Sequence, residues 1–354
     1  VGGENVEAAT ALSALVTPRV RALVCGGDGS FNWVSSVLFQ YGFVVALIPV
    51  PLGTGNDLAR ALGWGFKYPG SQQLEHIVAM VKASDAPPSF VDLWALSVVK
   101  AGSDVVNNEP LAEIGESAEG DTTDQRELDD VSPKRKSFCN YASLGVDAHV
   151  ELRFNEGRWK NPDKYNSQLM NVVLHGVHGV RHVAIEAKYV LRDRITYVKV
   201  DGKSIDVPAS IQALLFLSIP SYGAGSNPWG GSHSKRFCAA AVNDGKLEVI
   251  GLKSLGHFIS MKLGIKGVCL AQGSDIEARI EAPRRKGKVE LIPFQADGEP
   301  WAQRPGLLRI THGQHIPTML GPNHDQATKT HARFDTRPDF TPRSSIRIAQ
   351  GQAL

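Results

Sequence analysis

Asp28 sits inside a run of glycines, Gly26-Gly27-Asp28-Gly29-Ser30, that ends the apolar segment Arg21 to Cys25 and opens a helical pattern. One acid, one hydroxyl and three residues without side chains at a strand-to-helix turn suit a phosphate. Backbone N–H groups at a helix N-terminus attract anions, and only glycine lets the backbone come close enough to use them. A second turn of the same kind, Gly53-Thr54-Gly55-Asn56-Asp57, adds a hydroxyl and offers Asn56 or Asp57 as a helix cap. Neither turn carries the Gly-Lys-Ser/Thr ending of the Walker phosphate loop. The phosphates are therefore to be held by backbone amides, by the Ser30 and Thr54 hydroxyls, and by metal ions that the acids organise, Asp28 reaching Mg²⁺ through water. Asp-Gly alone reads equally as a hairpin turn. The strand before it and the helix after it favour a ligand.

The surrounding elements must bring the two turns together. Phe31, Val34, Val37, Leu38 and Tyr41 fall near one face at helical spacing, which predicts a helix from Ser30 to about Phe39. Val20–Cys25 is the strand before the first turn, and Val44–Val50 is apolar on consecutive positions, as a parallel strand covered on both faces is. Two successive strand–turn–helix units place both turns at one end of a parallel sheet, where open α/β sheets bind ligands. Leu74–Lys82 reads as a further helix and Phe90–Val99 as a further strand. Residues 101–137 are rich in Asp, Glu, Ser and Thr and end in Lys134-Arg135-Lys136, which predicts an exposed, disordered acidic insertion.

From Phe138 the pattern changes to short apolar segments: Ile195–Val200, Ile211–Ile219, Leu247–Leu252, Val268–Ala271, Ile276–Ile280, Val289–Phe294 and Leu307–Thr311. Turn signals at Asp201-Gly202, Asn243-Asp244-Gly245 and Asp297-Gly298 separate them, which is the signature of antiparallel sheet. One helical passage, about Pro162 to His178, interrupts them. The fold class is therefore α/β + β. A Rossmann-like parallel α/β nucleotide-binding domain over 1–100 precedes an antiparallel, sandwich-type β domain over 138–320, and 321–354 form a disordered tail.

Composition narrows the function. The 354 residues are 42% hydrophobic and 21% charged, with a net charge of +2, which is globular and gives no reason to expect nucleic acid. No apolar run approaches the ~20 residues that cross a bilayer. Cys25, Cys139, Cys238 and Cys269 lie far apart in apolar contexts and read as reduced, buried thiols of a cytoplasmic protein. His233 and His312 have no metal-ligand spacing. Trp229 and Trp301 could pack against acyl chains, but core or turn packing is the plainer reading.

Cys25-Gly26-Gly27-Asp28-Gly29-Ser30 resembles the Gly-Gly-Asp-Gly-Thr/Ser signature shared by diacylglycerol, sphingosine, ceramide and NAD kinases and phosphofructokinases. Pro51-Leu52-Gly53-Thr54-Gly55-Asn56-Asp57-Leu58-Ala59-Arg60 with Leu62-Gly63-Trp64-Gly65 resembles the eukaryotic-type diacylglycerol kinases more narrowly. Asn140 to Ala148, Ile219 to Gly230, Asn243 to Val249, Leu270 to Gly273 and Gln295 to Trp301 are similar to their accessory domain. The resemblance covers roughly residues 20–320. It implies transfer of the γ-phosphoryl group of ATP to the primary hydroxyl of 1,2-diacylglycerol, giving phosphatidic acid, by a peripheral enzyme at a membrane surface.

By the same resemblance, Gly26, Gly27, Asp28, Gly29, Ser30, Gly53, Thr54, Gly55, Asn56 and Asp57 hold ATP. Asp28 and Glu299 are catalytic, Glu299 as the general base, and Asp244 helps backbone carbonyls hold Mg²⁺. Without the resemblance, Asp244 and Glu299 read as residues of ordinary β-turns. Residues 1–19 do not show the Asn-Pro-x-Ser-Gly turn with which such catalytic domains open. The expectation is a catalytic segment without its first strand, or a divergent paralogue. Two other readings stand beside the main one: a lipid kinase acting on sphingosine or ceramide, and a non-catalytic lipid- or nucleotide-binding module.

Overall fold

The structure is a computed structural model that describes residues 20–85, 87–99, 134–160, 191–230, 236–261, 263–281, 284–285 and 288–324. The chain enters through β1 (Arg21–Gly26), α1 (Asp28–Gln40), β2 (Ala46–Pro51), α2 (Asp57–Ala61) and α3 (Ser71–Ala83). β1 and β2 are parallel and in register from Arg21 opposite Ala46 to Gly26 opposite Pro51, so the two glycine turns leave the sheet side by side. Phe31, Leu47, Ile48, Leu58, Leu62 and Val81 bury the helices against these strands. The helical passage about Pro162–His178 and nearly all of the acidic insertion and tail lie outside the described residues.

The chain continues through β3 (Ser89–Val99), β4 (Lys134–Phe138), β5 (Tyr141–Gly145), α4 (Val146–Lys160), β6 (Ile195–Val200), β7 (Lys203–Ile205), β8 (Ala213–Leu217) and β9 (Leu247–Leu252). It then forms α5 (Leu255–Met261), β10 (Val268–Gly273), β11 (Asp275–Ile280), the short pair β12 (Arg284–Arg285) and β13 (Lys288–Val289), β14 (Ile292–Ala296), β15 (Glu299–Gln303) and β16 (Leu307–Thr318). Lys134–Ser137, expected to close the disordered insertion, instead form most of β4, paired antiparallel with β3. Gly321, the first residue expected in the tail, donates its N–H to the Leu62 carbonyl at 2.8 Å, and the Asn323 N–H follows to Gly63 at 3.2 Å.

β16 ties the molecule together. It runs antiparallel to β3 from Leu307 opposite Val99 to Thr318 opposite Ser89, joins β11 through Leu307–Thr311, and meets β2 at Thr318 opposite Leu47. The parallel strands and the antiparallel strands therefore share one eight-stranded sheet. The expected β16 stops at Thr311 because His312–Pro317 break the apolar alternation. The second sheet, β10-β9-β8-β5-β14-β15, is antiparallel throughout.

The two sheets pack face to face. Alternation along β8 shows how: Leu214 and Phe216 enter the core between the sheets with Trp94, Leu96, Val98 and Ile310. Ala213, Leu215 and Leu217 enter a core on the far face with Tyr222, Trp229 and Met261. A strand covered on both faces reads as an unbroken apolar run, which is why Ile211–Ile219 was legible. Trp229 and Trp301 are core residues. Trp229 donates to the Cys238 carbonyl at 3.0 Å, and Trp301 stacks on Phe294. The four cysteines are free as expected, but Cys25 and Cys238 are exposed and only Cys139 is fully buried.

Candidate active site

The first glycine turn ends in an uncapped helix N-terminus, which is electropositive. Gly27 precedes α1 with no side-chain cap, so no capping side chain bonds the first amides of this thirteen-residue helix. A Cβ on Gly26 would lie 2.5 Å from the Ser30 side chain, which folds over it. The second turn backs onto the first: a Cβ on Gly53 would lie 2.5 Å from the Gly27 Cα. Two main chains at this separation leave no room for any residue but glycine.

Asp28 turns inward and joins the turns. Its Oδ2 accepts the Asp57 N–H and its Oδ1 the Leu58 N–H, both at 3.0 Å, so it caps α2 from across the turn. The cap expected from Asn56 or Asp57 is not made. Asn56 adopts left-handed backbone at φ 51 and uses its amide to close the turn on Gly53, bonding that residue's N–H at 2.8 Å and its carbonyl at 2.7 Å. Asp57, fully buried, faces the opposite way. It accepts the Ser221 hydroxyl and the N–H groups of Ala224 at 2.9 Å and Gly225 at 2.8 Å, fastening that loop to the turn. Burial, and then the Asp57 charge beside it, raise Asp28 to about 6.

A further acid, the buried Asp297, sets the opposite wall. It occupies the β14–β15 hairpin at φ 47, and its carboxylate accepts the N–H groups of Cys139 at 2.9 Å and of Asn140 and Tyr141 at 3.0 Å. Burial lifts it to about 7; the amide bonds oppose this and nearby Asp28 adds to it. With the hairpin fixed in this way, Glu299 stands over the start of α1. A Cβ on Gly29 would lie 3.2 Å from Glu299 Oε1, and Lys136 Nζ lies 3.8 Å from Oε2. Asn32 of α1 donates to the Ser137 carbonyl at 2.7 Å, which locks α1 to β4 and keeps Lys136 nearby.

Gly29, Ser30 and Glu299 thus line one cleft of about 530 Å³, together with Cys25, Val34 and the exposed Trp33. Asn56 and Asp57 lie behind it, with their side chains committed to the protein. Asp244 stands elsewhere, in the turn between Val242 and β9. Its Oδ1 accepts the Lys246 N–H at 3.1 Å, and the Gly245 N–H bonds to Asp92 at 2.8 Å. For Mg²⁺, both Asp28 oxygens already accept amides, which suits contact through water rather than direct ligation.

Asp297 and Lys136 were not singled out from the sequence. The one lay inside a plain Asp-Gly hairpin signal, and the other in a basic run assigned to the insertion. No local pattern reveals that Asp297 is matched to three amides more than 150 positions upstream.

Two family models match the chain: the diacylglycerol kinase catalytic domain over residues 3–85 and the diacylglycerol kinase accessory domain over residues 137–300. Mouse diacylglycerol kinase theta is 30% identical over 331 residues, covering 92% of this chain and 32% of its own length. The Drosophila eye-specific diacylglycerol kinase is 33% identical over 300 residues, covering 83% of this chain and 18% of its own length. The chain thus spans a third or less of these relatives. A crystal structure of a diacylglycerol kinase from Bacillus anthracis superposes with a TM-score of 0.45 at 13% identity, covering 91% of this chain and 83% of that one. The catalytic match holds both glycine turns and the accessory match holds Asp297, its three amides and Glu299. The two walls of the cleft are thus the two matched domains, and the chain belongs to the diacylglycerol kinase family.

Proposed function

We propose that this chain is an ATP-dependent diacylglycerol kinase, converting 1,2-diacylglycerol to phosphatidic acid. The observation that carries the reading is Glu299 standing over Gly29 at the uncapped N-terminus of α1. There a carboxylate and a phosphate-binding backbone face each other across one cleft. Phosphoryl transfer asks mainly for positioning and charge neutralisation, plus an acceptor for the hydroxyl proton. In this reading the amides of Gly29 and Ser30 and the Ser30 hydroxyl hold the phosphates. Glu299 accepts the proton of the primary hydroxyl as its oxygen bonds to the γ-phosphorus, and the bond from that phosphorus to the bridging oxygen breaks to release ADP. Mg²⁺, when bound, neutralises charge on the phosphates. Asp28 would orient its water shell, and Asp244 belongs to a separate structural ion.

Trp33, 59% exposed at the cleft, gives an acyl chain apolar surface to lie on. Among the described residues no helix is long and apolar enough to cross a membrane, and we propose that the enzyme meets its lipid peripherally. The domain division follows: a catalytic part to about residue 100 and an accessory part over 138–320, with β16 returning to complete the sheet of the first. The test is formation of phosphatidic acid from labelled ATP in mixed micelles, with monoacylglycerol, sphingosine and ceramide in parallel. Preference for diacylglycerol is expected. Preference for a sphingoid lipid would overturn the substrate, and no transfer to any lipid would leave a binding module.

A further inference from the structure

The longest strand pair among the described residues carries a second cluster of chemically able side chains, well apart in role from the cleft. Asp92 of β3 and His312 and His315 of β16 converge so that one ligand atom of each lies within 4.8 Å of the others. His312 Nε2 is 3.0 Å and His315 Nδ1 2.8 Å from the same Asp92 Oδ1.

The convergence depends on a β-bulge. In a regular strand, residues three apart point to opposite faces. Here the register shifts between His312, opposite Trp94, and Gln314, opposite Leu93, so that His315 falls opposite Asp92. The extra residue, Gly313, turns both imidazoles to the face that carries Asp92 and Trp94, and bulges re-aim side chains in just this way. This is why the sequence spacing His-x-x-His in a strand gave no sign of a site.

The surroundings resemble those of a ligand set. Asp92 is fully buried, and its other oxygen, Oδ2, accepts the Gly245 N–H at 2.8 Å, which fixes the carboxylate plane as outer partners of metal ligands do. The His312 and Trp94 rings pack edge to face, at 5.1 Å between centroids. Both histidine side chains remain about one quarter exposed, leaving an open side for water or a further ligand. Glu248, fully buried and with no bond to its Oε2, lies within electrostatic reach of Asp92 and Asp244.

We propose that Asp92, His312 and His315 form a site for a divalent transition-metal ion, zinc being the best match to two imidazoles and one carboxylate. The donor set separates it from an oxygen-only magnesium site at Asp244, because Mg²⁺ favours carboxylates, carbonyls and water. A tetrahedral ion with bonds of about 2.0–2.1 Å sets its ligand atoms about 3.3 Å apart. The two spacings to Asp92 Oδ1, 2.8 and 3.0 Å, therefore open by a few tenths of an ångström, and the two imidazole nitrogens, within 4.8 Å of each other, adjust to the ion by rotation of the partly exposed rings. The ion would clamp β3 to β16 and is structural, so the proposal does not rest on the kinase reading.

The test uses the full chain stripped with chelator and titrated with Co²⁺ and then Zn²⁺ alone. Expected are one equivalent bound by calorimetry, intense visible absorption of four-coordinate Co²⁺ bleached by Zn²⁺, and a higher Tm with either ion. His315→Gln and His312→Gln should each weaken binding at least tenfold and abolish the Tm shift. Asp244→Asn, with folding checked by circular dichroism, should leave the cobalt spectrum unchanged. The proposal is overturned if wild type binds no stoichiometric Co²⁺ or Zn²⁺. It is equally overturned if the histidine variants bind as wild type does, or if Asp244→Asn alone removes the site.

Discussion

The Asp28 carboxylate accepts the Leu58 N–H at 3.0 Å across thirty positions of sequence, and with the Asp57 N–H on its other oxygen it caps the helix of the second glycine turn from within the first. One side chain thereby holds the two glycine turns in a single geometry. Asp28→Ala leaves two buried amides without an acceptor, at roughly 1–3 kcal/mol each. It should lower Tm measurably as well as abolish transfer. Asp28→Asn keeps one acceptor and should fall between. A Tm for Asp28→Ala equal to wild type in a thermal melt would refute the cap.

Gly29 and Gly53 separate stability from chemistry. A methyl group on Gly53 meets the main chain of Gly27, which cannot swing away, so Gly53→Ala should cost about 1–3 kcal/mol by overpacking. A methyl group on Gly29 meets only the mobile end of Glu299, and alanine favours a helix over glycine by up to about 1 kcal/mol. Gly29→Ala should keep its Tm yet lose turnover because the carboxylate is displaced. Paired melts and rates decide this, and equal loss of Tm in both variants would contradict it.

Glu299 is largely exposed and makes one loose contact with Lys136, so Glu299→Gln should leave the fold untouched. If the residue takes the hydroxyl proton, kcat should drop by ~10²–10⁴ with little change in KM for ATP. Turnover within twofold of wild type would remove the general-base role.

How legible these parts were in the sequence follows from the range of the physics involved. The glycine turns and the strands around them were readable because glycine, apolar runs and helical spacing are local signals. Asp57 was read as a cap and is a clamp on Ser221 and Gly225, because its partners lie more than 160 positions away. β4 was hidden by Lys134-Arg135-Lys136, whose charge suits an edge strand as well as a solvated loop. The His312–His315 pairing was hidden by a bulge, which is a property of two strands in register.

Trp33 is an exposed apolar side chain at the cleft, and at 59% exposure it contributes little to the core. Trp33→Ala should preserve Tm and raise KM for diacylglycerol about tenfold, equivalent to ~1.4 kcal/mol of lost apolar contact. KM for ATP should not move. Kinetics in mixed micelles at several lipid mole fractions check it, and an unchanged lipid KM would place the acyl chains elsewhere.

The buried acids set the direction in which stability depends on pH. Asp28, raised to about 6, and Asp297, raised to about 7, hold protons in the folded state that the unfolded chain, with aspartates near 3.8, has already released. Their contribution is fully present below about pH 4 and is lost as pH rises through 6 and 7. Asp92 is held below its ordinary value by bonds from His312 and His315 against the cost of burial. Its contribution is the reverse, present above the carboxylate range and lost only as pH falls below it. Asp147 and Glu248, also raised by burial, act in the same direction as the first two, so between pH 5.5 and 8 Tm should fall as pH rises. Asp297→Asn cannot take up the proton and should show a shallower fall, whatever its absolute Tm. Melts of both proteins across this range test the assignment, and a wild-type Tm that is flat or rising from pH 5.5 to 8 would show that these carboxylates are already ionised in the fold.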